Sequence, residues 1–180
     1  MIENIAQIIG FGGTAVTFLA YQQKKRKGIL LLTVLSCTLF MIHYILLGAY
    51  TGAVMNLIGA LRAVVFVNSD KKWAKSKVWL AFFIVVNIVC CIVTWDKWYS
   101  VLPLAGMILS TVSLWMKNET KIRIITFPSS PCWLIYNALC HSIAGVITEC
   151  FIMSSIIIAI IRYDILKKDK PKNSEVKTDA

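Results

Sequence analysis

Long apolar runs separated by short clusters of positive charge set the pattern of this chain. The run Ile5–Tyr21 ends at Lys24-Lys25-Arg26-Lys27. Gly28 to Ser69 follows, with Arg62 as its one charge. Val78–Thr94 and Tyr99–Met116 flank Trp95-Asp96-Lys97-Trp98. Ile122–Leu139 and Ser142–Arg162 flank Cys140-His141. A bilayer core about 30 Å thick takes ~17–25 apolar residues per helix. Lipid offers the backbone no hydrogen-bond partner, so each run must pair its own amides and be helical. The stretch from Gly28 to Ser69 is too long for one span and fits two. Its turn is placed at Gly48-Ala49-Tyr50-Thr51-Gly52, where paired glycines suit a tight reversal. The aromatic linker around Asp96 suits a membrane interface.

Charge fixes the count. Every Lys and Arg except Arg62 and Lys97 falls in one of four clusters: 24–27, Lys71/Lys72/Lys75/Lys77, Lys117/Lys121/Arg123, and the tail from Arg162. Positive residues near span ends collect on the cytoplasmic side. An even number of spans must then separate any two clusters. The pattern predicts an all-α integral membrane protein of seven transmembrane helices, N-terminus outside and C-terminus cytoplasmic; six spans with one short segment lying in the interface is the competing count. Met1-Ile2-Glu3-Asn4 carries no basic cluster of the signal-peptide kind, so the first run is read as a retained span. The tail from Lys167 to Ala180 is polar and contains Pro171; such composition predicts disorder.

An internal repeat runs at an offset of 93 residues. His43 pairs with Tyr136, Tyr44 with Asn137, Gly52 with Gly145, Gly13 with Gly106, Phe40 with Trp133 and Asn56 with Glu149. Each copy reads span, basic loop, span, tight turn, span. Because both start outside, the single helix Val78–Thr94 must reset the orientation between them. The expected layout is a 3-1-3 arrangement of two parallel three-helix repeats, related by an axis along the membrane normal. Its units are 1–68 and 99–163 as bundles, 69–98 as loop and linker helix, and 164–180 as the tail.

Composition agrees. The chain has 180 residues, 58% hydrophobic and 16% charged, against about 45–50% and 25% in soluble domains. The net charge of +10 sits in short juxtamembrane loops, so it reads as topology and contact with anionic lipid heads, not nucleic-acid binding. The six cysteines form no CxxC pair and have no fitting histidine spacing, so no metal site or cofactor is expected. No nucleophile–base constellation is present, so no enzymatic activity is expected. Gly10-x-Gly12-Gly13 lies within a span, where it reads as helix packing or a hinge.

Glu149 is the one acidic residue inside a predicted span. Insertion scales put a mid-membrane charge at roughly 2.5–3.5 kcal/mol, so such residues usually face a cavity or a partner. Two readings stand: a substrate contact or proton carrier, and a structural hydrogen bond between helices. Arg62 lies six residues past Asn56, roughly 9 Å deeper. It has the reach either to pair with Glu149 as an ion pair or gate, or to snorkel to the cytoplasmic surface. Asn56 and Asn137 bring amides into the membrane, and His43 brings a group that titrates near neutrality. Asn87 reads as a helix–helix contact.

The segment His43-Tyr44-Ile45-Leu46-Leu47-Gly48-Ala49-Tyr50-Thr51-Gly52, with Asn56 and Arg62 after it, resembles the YgjV family of bacterial inner-membrane proteins. More distantly, the topology and Pro128-x-x-Pro131-x-Trp133-x-x-Tyr136-Asn137 resemble the PQ-loop and SWEET superfamily. That resemblance implies a site lined by an aromatic on the middle helix of each bundle and an Asn on the third, about sixteen residues on. Phe40 and Asn56 fit that spacing, as do Trp133 and Glu149. Glu149 stands where the pattern has Asn, so sugar specificity does not carry over. Prolines 103, 128 and 131 all lie in the second half; the first half has glycines instead. Candidate substrate-binding residues are Phe40, Asn56, Trp133, Glu149, His43, Tyr136 and Asn137, with Arg62 and Glu149 as the ion pair. The resemblance implies a transporter or facilitator of small polar solutes in a bacterial inner membrane. A receptor, adaptor or assembly protein on the same scaffold is the other reading. Besides lipid and solute, a second copy of the chain is an admissible partner.

Overall fold

A computed structural model describes residues 2–23, 26–68, 71–115 and 124–161. Lys24, Lys25, the third basic cluster and the tail from Arg162 lie outside the described residues. Among those described there are seven α-helices and no strand. They are α1 (Ile2–Gln22), α2 (Arg26–Leu46), α3 (Tyr50–Val67), α4 (Val78–Val93), α5 (Val101–Trp115), α6 (Ser129–Leu139) and α7 (Ile143–Ala159). Short 3-10 turns at Lys72–Lys75 and Trp98–Ser100 lead into α4 and α5.

Three segments are long and apolar enough to cross a membrane: Ile2–Ala20, Lys27–Leu46 and Tyr50–Val67. Val78–Val93, Trp98–Ser113 and Ile143–Ala159 are apolar but shorter. At 1.5 Å per residue, the 18-residue α3 spans about 27 Å, close to the hydrocarbon thickness. The run expected as one span over Ile122–Leu139 is broken. Residues 124–126 are helical, Phe127 and Pro128 form a turn, and α6 starts at Ser129. Pro128 has no amide hydrogen and its ring blocks the preceding turn, so a helix restarts after it more easily than it runs through.

The packing is the reverse of a soluble domain. Val85, Val89, Ile92 and Val93 of α4 point outwards, as do Ile143, Ile147 and Ile158 of α7. The interior holds Thr14, Ser36, Thr111, Ser113, Ser129, Ser130 and Thr148. Lipid-facing apolar surface with small hydroxylated residues between helices is what a membrane bundle requires. An apolar core of Met55, Ile58, Phe66, Phe83 and Met107 fills the space between α3, α4 and α5. In sequence order, α1 packs on α2 and α2 on α3, while α5 packs on α6 and α6 on α7. The fourth helix bridges α3 and α5, and two further contacts, α1 with α7 and α3 with α5, complete the body.

Both tight reversals use a left-handed residue. Gly48 has φ 70° and closes α2, where the Ala49 amide donates to the Tyr44 carbonyl at 2.9 Å. His141 has φ 56° and closes α6, where the Ser142 amide donates to the Asn137 carbonyl at 2.8 Å. Glycine adopts this conformation freely, whereas a β-carbon costs about 1–2 kcal/mol. His141→Gly is therefore expected to stabilise the protein by up to about 1 kcal/mol, once the extra freedom of glycine in the unfolded chain is subtracted. A thermal melt in detergent checks this; a lowered midpoint contradicts it.

Candidate functional site

A cavity of about 520 Å³ runs along the middle of the bundle. One end lies at Tyr44, Asn137 and Gly145; the other reaches Ala20, Ile29 and Thr126, near the start of α2. Its walls come from the inward faces of α1, α2, α3, α5, α6 and α7. Phe40 and Tyr44 on α2 face Trp133 on α6, with the Tyr44 and Trp133 rings stacked at 6.3 Å between centroids. Glu149 lines the cavity from α7, with the Ser130 hydroxyl in hydrogen-bonding reach. Asn56 lines it from α3 and donates from Nδ2 to the Gly52 carbonyl at 3.0 Å, within its own helix.

Two close helix approaches shape the walls. Ser36 donates to the Gly13 carbonyl at 3.1 Å, and Ser129 to the Gly106 carbonyl at 2.9 Å. A β-carbon at Gly13 would meet the Phe40 ring at 3.0 Å, and one at Gly106 the Trp133 indole at 2.6 Å. These glycines let the two aromatic walls pack directly against α1 and α5.

Hydrogen bonds seal the Tyr44 end. The Tyr44 hydroxyl donates to Asn137 Oδ1 at 2.6 Å. His43 Nε2 lies 2.7 Å from Ser142 Oγ, while its Nδ1 lies 2.7 Å from the Ala6 carbonyl. Across the bundle, the Tyr136 hydroxyl accepts the Gly52 amide hydrogen at 2.8 Å and faces the Ala49 carbonyl at 3.4 Å. Thr14 and Thr148 meet at 2.7 Å where α1 packs on α7. Buried polar groups that are all paired hold one arrangement firmly.

The expected residues divide accordingly. Phe40, Asn56, Trp133, Asn137 and Glu149 line the cavity, and so does Arg62. His43 and Tyr136 are buried in the seal. Arg62 neither snorkels nor pairs with Glu149. It is 7% exposed, and its Nη1 donates to Ser110 at 3.0 Å and Thr111 at 2.5 Å. The helix carrying it packs on α5, so those hydroxyls intercept the guanidinium before it reaches α7. Ser110, Ser130 and Ser142 were not singled out by sequence, because a hydroxyl inside an apolar run carries no periodic signal. Tyr44 was visible only as the partner of Asn137. Asn87 is fully buried on α4 and donates from Nδ2 to the Phe83 carbonyl, so it takes no part in the cavity wall. Among the described residues no cluster of side chains fits a metal ion.

Beyond the seal lies a polar pocket of about 190 Å³, lined by Asp96, Lys97, Tyr99, Tyr136, Cys140 and His141 among others. Burial pushes the Cys140 thiol up from its usual range. Thiolate is the reactive form, so alkylation of Cys140 is expected to be slow near neutrality and to rise about tenfold per pH unit up to pH 9. Mass spectrometry after timed iodoacetamide treatment checks this; a rate flat with pH contradicts it.

Comparison with known proteins agrees with this helical, lipid-facing architecture. No solved structure matches the chain. Over 108 residues it is 27% identical to the Escherichia coli (strain K12) protein called inner membrane protein YgjV, a match covering 60% of this chain and 56% of that relative's length. A family model described as Imp-YgjV, bacterial inner membrane protein, matches residues 4–167. A match over nearly the whole helical body, from α1 to beyond α7, places the chain in the Imp-YgjV family of bacterial inner membrane proteins.

Proposed function

We propose that the protein is a SWEET-like small-solute transporter or facilitator working by alternating access, with two three-helix halves rocking about the central cavity. One observation carries this reading: residues a constant 93 apart line the cavity together. Thr17 and Ser110, Ser36 and Ser129, Phe40 and Trp133, Tyr44 and Asn137, and Asn56 and Glu149 are such pairs. The left-handed Gly48 and His141 are 93 apart as well. So are the two turn hydrogen bonds beside them. The contacts of α1 with α7 and of α3 with α5 are those a two-fold axis along the membrane normal requires. Together they support two parallel repeats in a 3-1-3 layout, α4 being the odd helix.

The positive-inside rule puts the basic connectors in the cytoplasm, the N-terminus outside and the C-terminus inside. Anionic lipid heads would then meet those connectors. In this orientation the sealed end faces outwards and the Ile29 end faces inwards. The arrangement has the form of an inward-facing state, in which the Tyr44–Asn137 and His43–Ser142 bonds act as the outer gate.

A non-transporting receptor, adaptor or assembly role gains from two facts. Asn56 is tied to its own helix, and Arg62 to hydroxyls on α5. Against it stands the cavity itself, with a carboxylate in its wall, which a purely structural bundle has no reason to keep open. The purified chain in liposomes separates the two. Transport predicts saturable uptake above protein-free vesicles for some amino acid, sugar or polyamine, together with thiol access to position 56 from both faces over time. Uptake equal to empty vesicles, with access from one face alone, removes the reading.

A further inference from the structure

Two ionisable side chains of opposite sign reach the same cavity, and they do not neutralise each other. Arg62 is almost fully buried, and its Nη1 bonds are to neutral hydroxyls. Its Nε–H is buried with no acceptor among the described residues. A buried guanidinium held by neutral groups, with an orphaned N–H, lacks the anion that would compensate it. Among the described residues, no carboxylate other than Glu149 lines the cavity. Glu149 in turn has a neutral hydroxyl, Ser130, beside it. The aromatic rings of Phe40, Tyr44 and Trp133 line the same space, and ring faces attract cations.

Along the helix axes the two poles lie at neighbouring heights. On the repeat reading, Glu149 stands level with Asn56. Arg62 is six residues further along α3, about 9 Å of rise. Both side chains are long enough to take up much of that distance, which leaves room for a compact ligand with its charges a few bonds apart. The volume of about 520 Å³ lies within the ~300–1,000 Å³ of small-molecule sites.

We infer, building on the transport reading, that the solute is a small zwitterion with an apolar body, its ammonium group at Glu149 among the aromatic rings and its carboxylate at Arg62. A neutral polyol would leave both poles uncompensated. A lone cation would leave Arg62 so, and a lone anion Glu149. Charge-assisted hydrogen bonds at both ends favour the molecule that carries both charges.

The test uses four probes of one design in proteoliposomes of the full chain. Leucine is the zwitterion. Isoamylamine is the same skeleton without the carboxylate, isocaproate the same without the amine, and glucose a neutral polyol. Counting only uptake above that of protein-free vesicles, since isoamylamine and isocaproate also cross lipid in their neutral forms, leucine is expected to enter about tenfold or more faster than each of the others. In Arg62→Gln leucine should lose its advantage over isoamylamine, and in Glu149→Gln its advantage over isocaproate. Arg62→Lys, which keeps the charge, should keep the preference and guards against a variant that merely misfolds. Glucose, isoamylamine or isocaproate entering as fast as leucine overturns the zwitterion while transport stands. If none of the four enters, the inference falls as well. A cysteine at position 56 then tells whether transport falls with it: labelling from both faces keeps the transport reading, and labelling from one face or neither removes it.

Discussion

Gly145→Ala is expected to open the Tyr44 end of the cavity and to lower the melting temperature of the protein. A β-carbon at this position would overlap the Asn137 amide and lie 2.6 Å from Ser142 Oγ. Those are the two groups that hold the seal. Asn137 accepts from Tyr44, Ser142 pairs with His43, and the Gly145 amide itself donates to Ser142 at 3.2 Å. Overpacking a tight contact costs ~1–3 kcal/mol, and each lost hydrogen bond about 1 kcal/mol more. The sum, roughly 3–5 kcal/mol, is large against the 5–15 kcal/mol that holds a folded domain. Gly12→Ala is the control. A β-carbon there meets its nearest neighbour, Leu39 Cδ1, at 3.9 Å, an ordinary contact. Alanine also suits a helix interior better than glycine by about 1 kcal/mol, so this variant should melt at the same temperature or higher. If both substitutions behave alike, the seal has no special role.

Glu149→Gln is expected to cut uptake by about tenfold or more while leaving the fold intact or stabilising it. The change keeps the shape and removes the group that can carry a negative charge. If the carboxylate binds solute, its loss removes a charge-assisted hydrogen bond worth ~1.5–3 kcal/mol. At the same time it relieves a costly polar burial, because a neutral amide is easier to keep in the membrane. Function lost with stability gained is the mark of a site residue. Glu149 as a strut between helices predicts the reverse: a lower melting temperature whatever the uptake. Parallel melts and flux assays on one preparation separate the two.

Much of the helical layout could be read from apolar runs and glycines. The reversal near Gly48 and the limits of α4 followed from these signals, since lipid forces each run to close its own hydrogen bonds. Hydropathy extends the run ending at Leu139 too far, because it does not register the helix break at Pro128. The site was legible in outline only. Glu149 stands out as the one acidic residue inside a span, and Phe40, Asn56 and Trp133 through the repeat offset and the sixteen-residue spacing that the resemblance implies. The direction of Arg62 did not, because it depends on which neighbouring helix offers hydroxyls. His141 showed no sign of its left-handed backbone, which glycine would have announced. Tyr44 and Asn137 were paired by offset, but nothing in one dimension says that such a pair touches. On the repeat reading it must, since a residue beside a two-fold axis meets its own counterpart.

Alternating access in this form requires a cavity reached from the side of the basic connectors and shut from the other. One measurement addresses that directly. With the six native cysteines replaced, a single cysteine at position 56 is treated with a membrane-impermeant thiol reagent in right-side-out and in inverted vesicles. The account predicts fast labelling in inverted vesicles, slow labelling in right-side-out ones, and a rise in the latter when Gly145→Ala is added. Labelling that is faster from the outside, or absent from both sides, would contradict it.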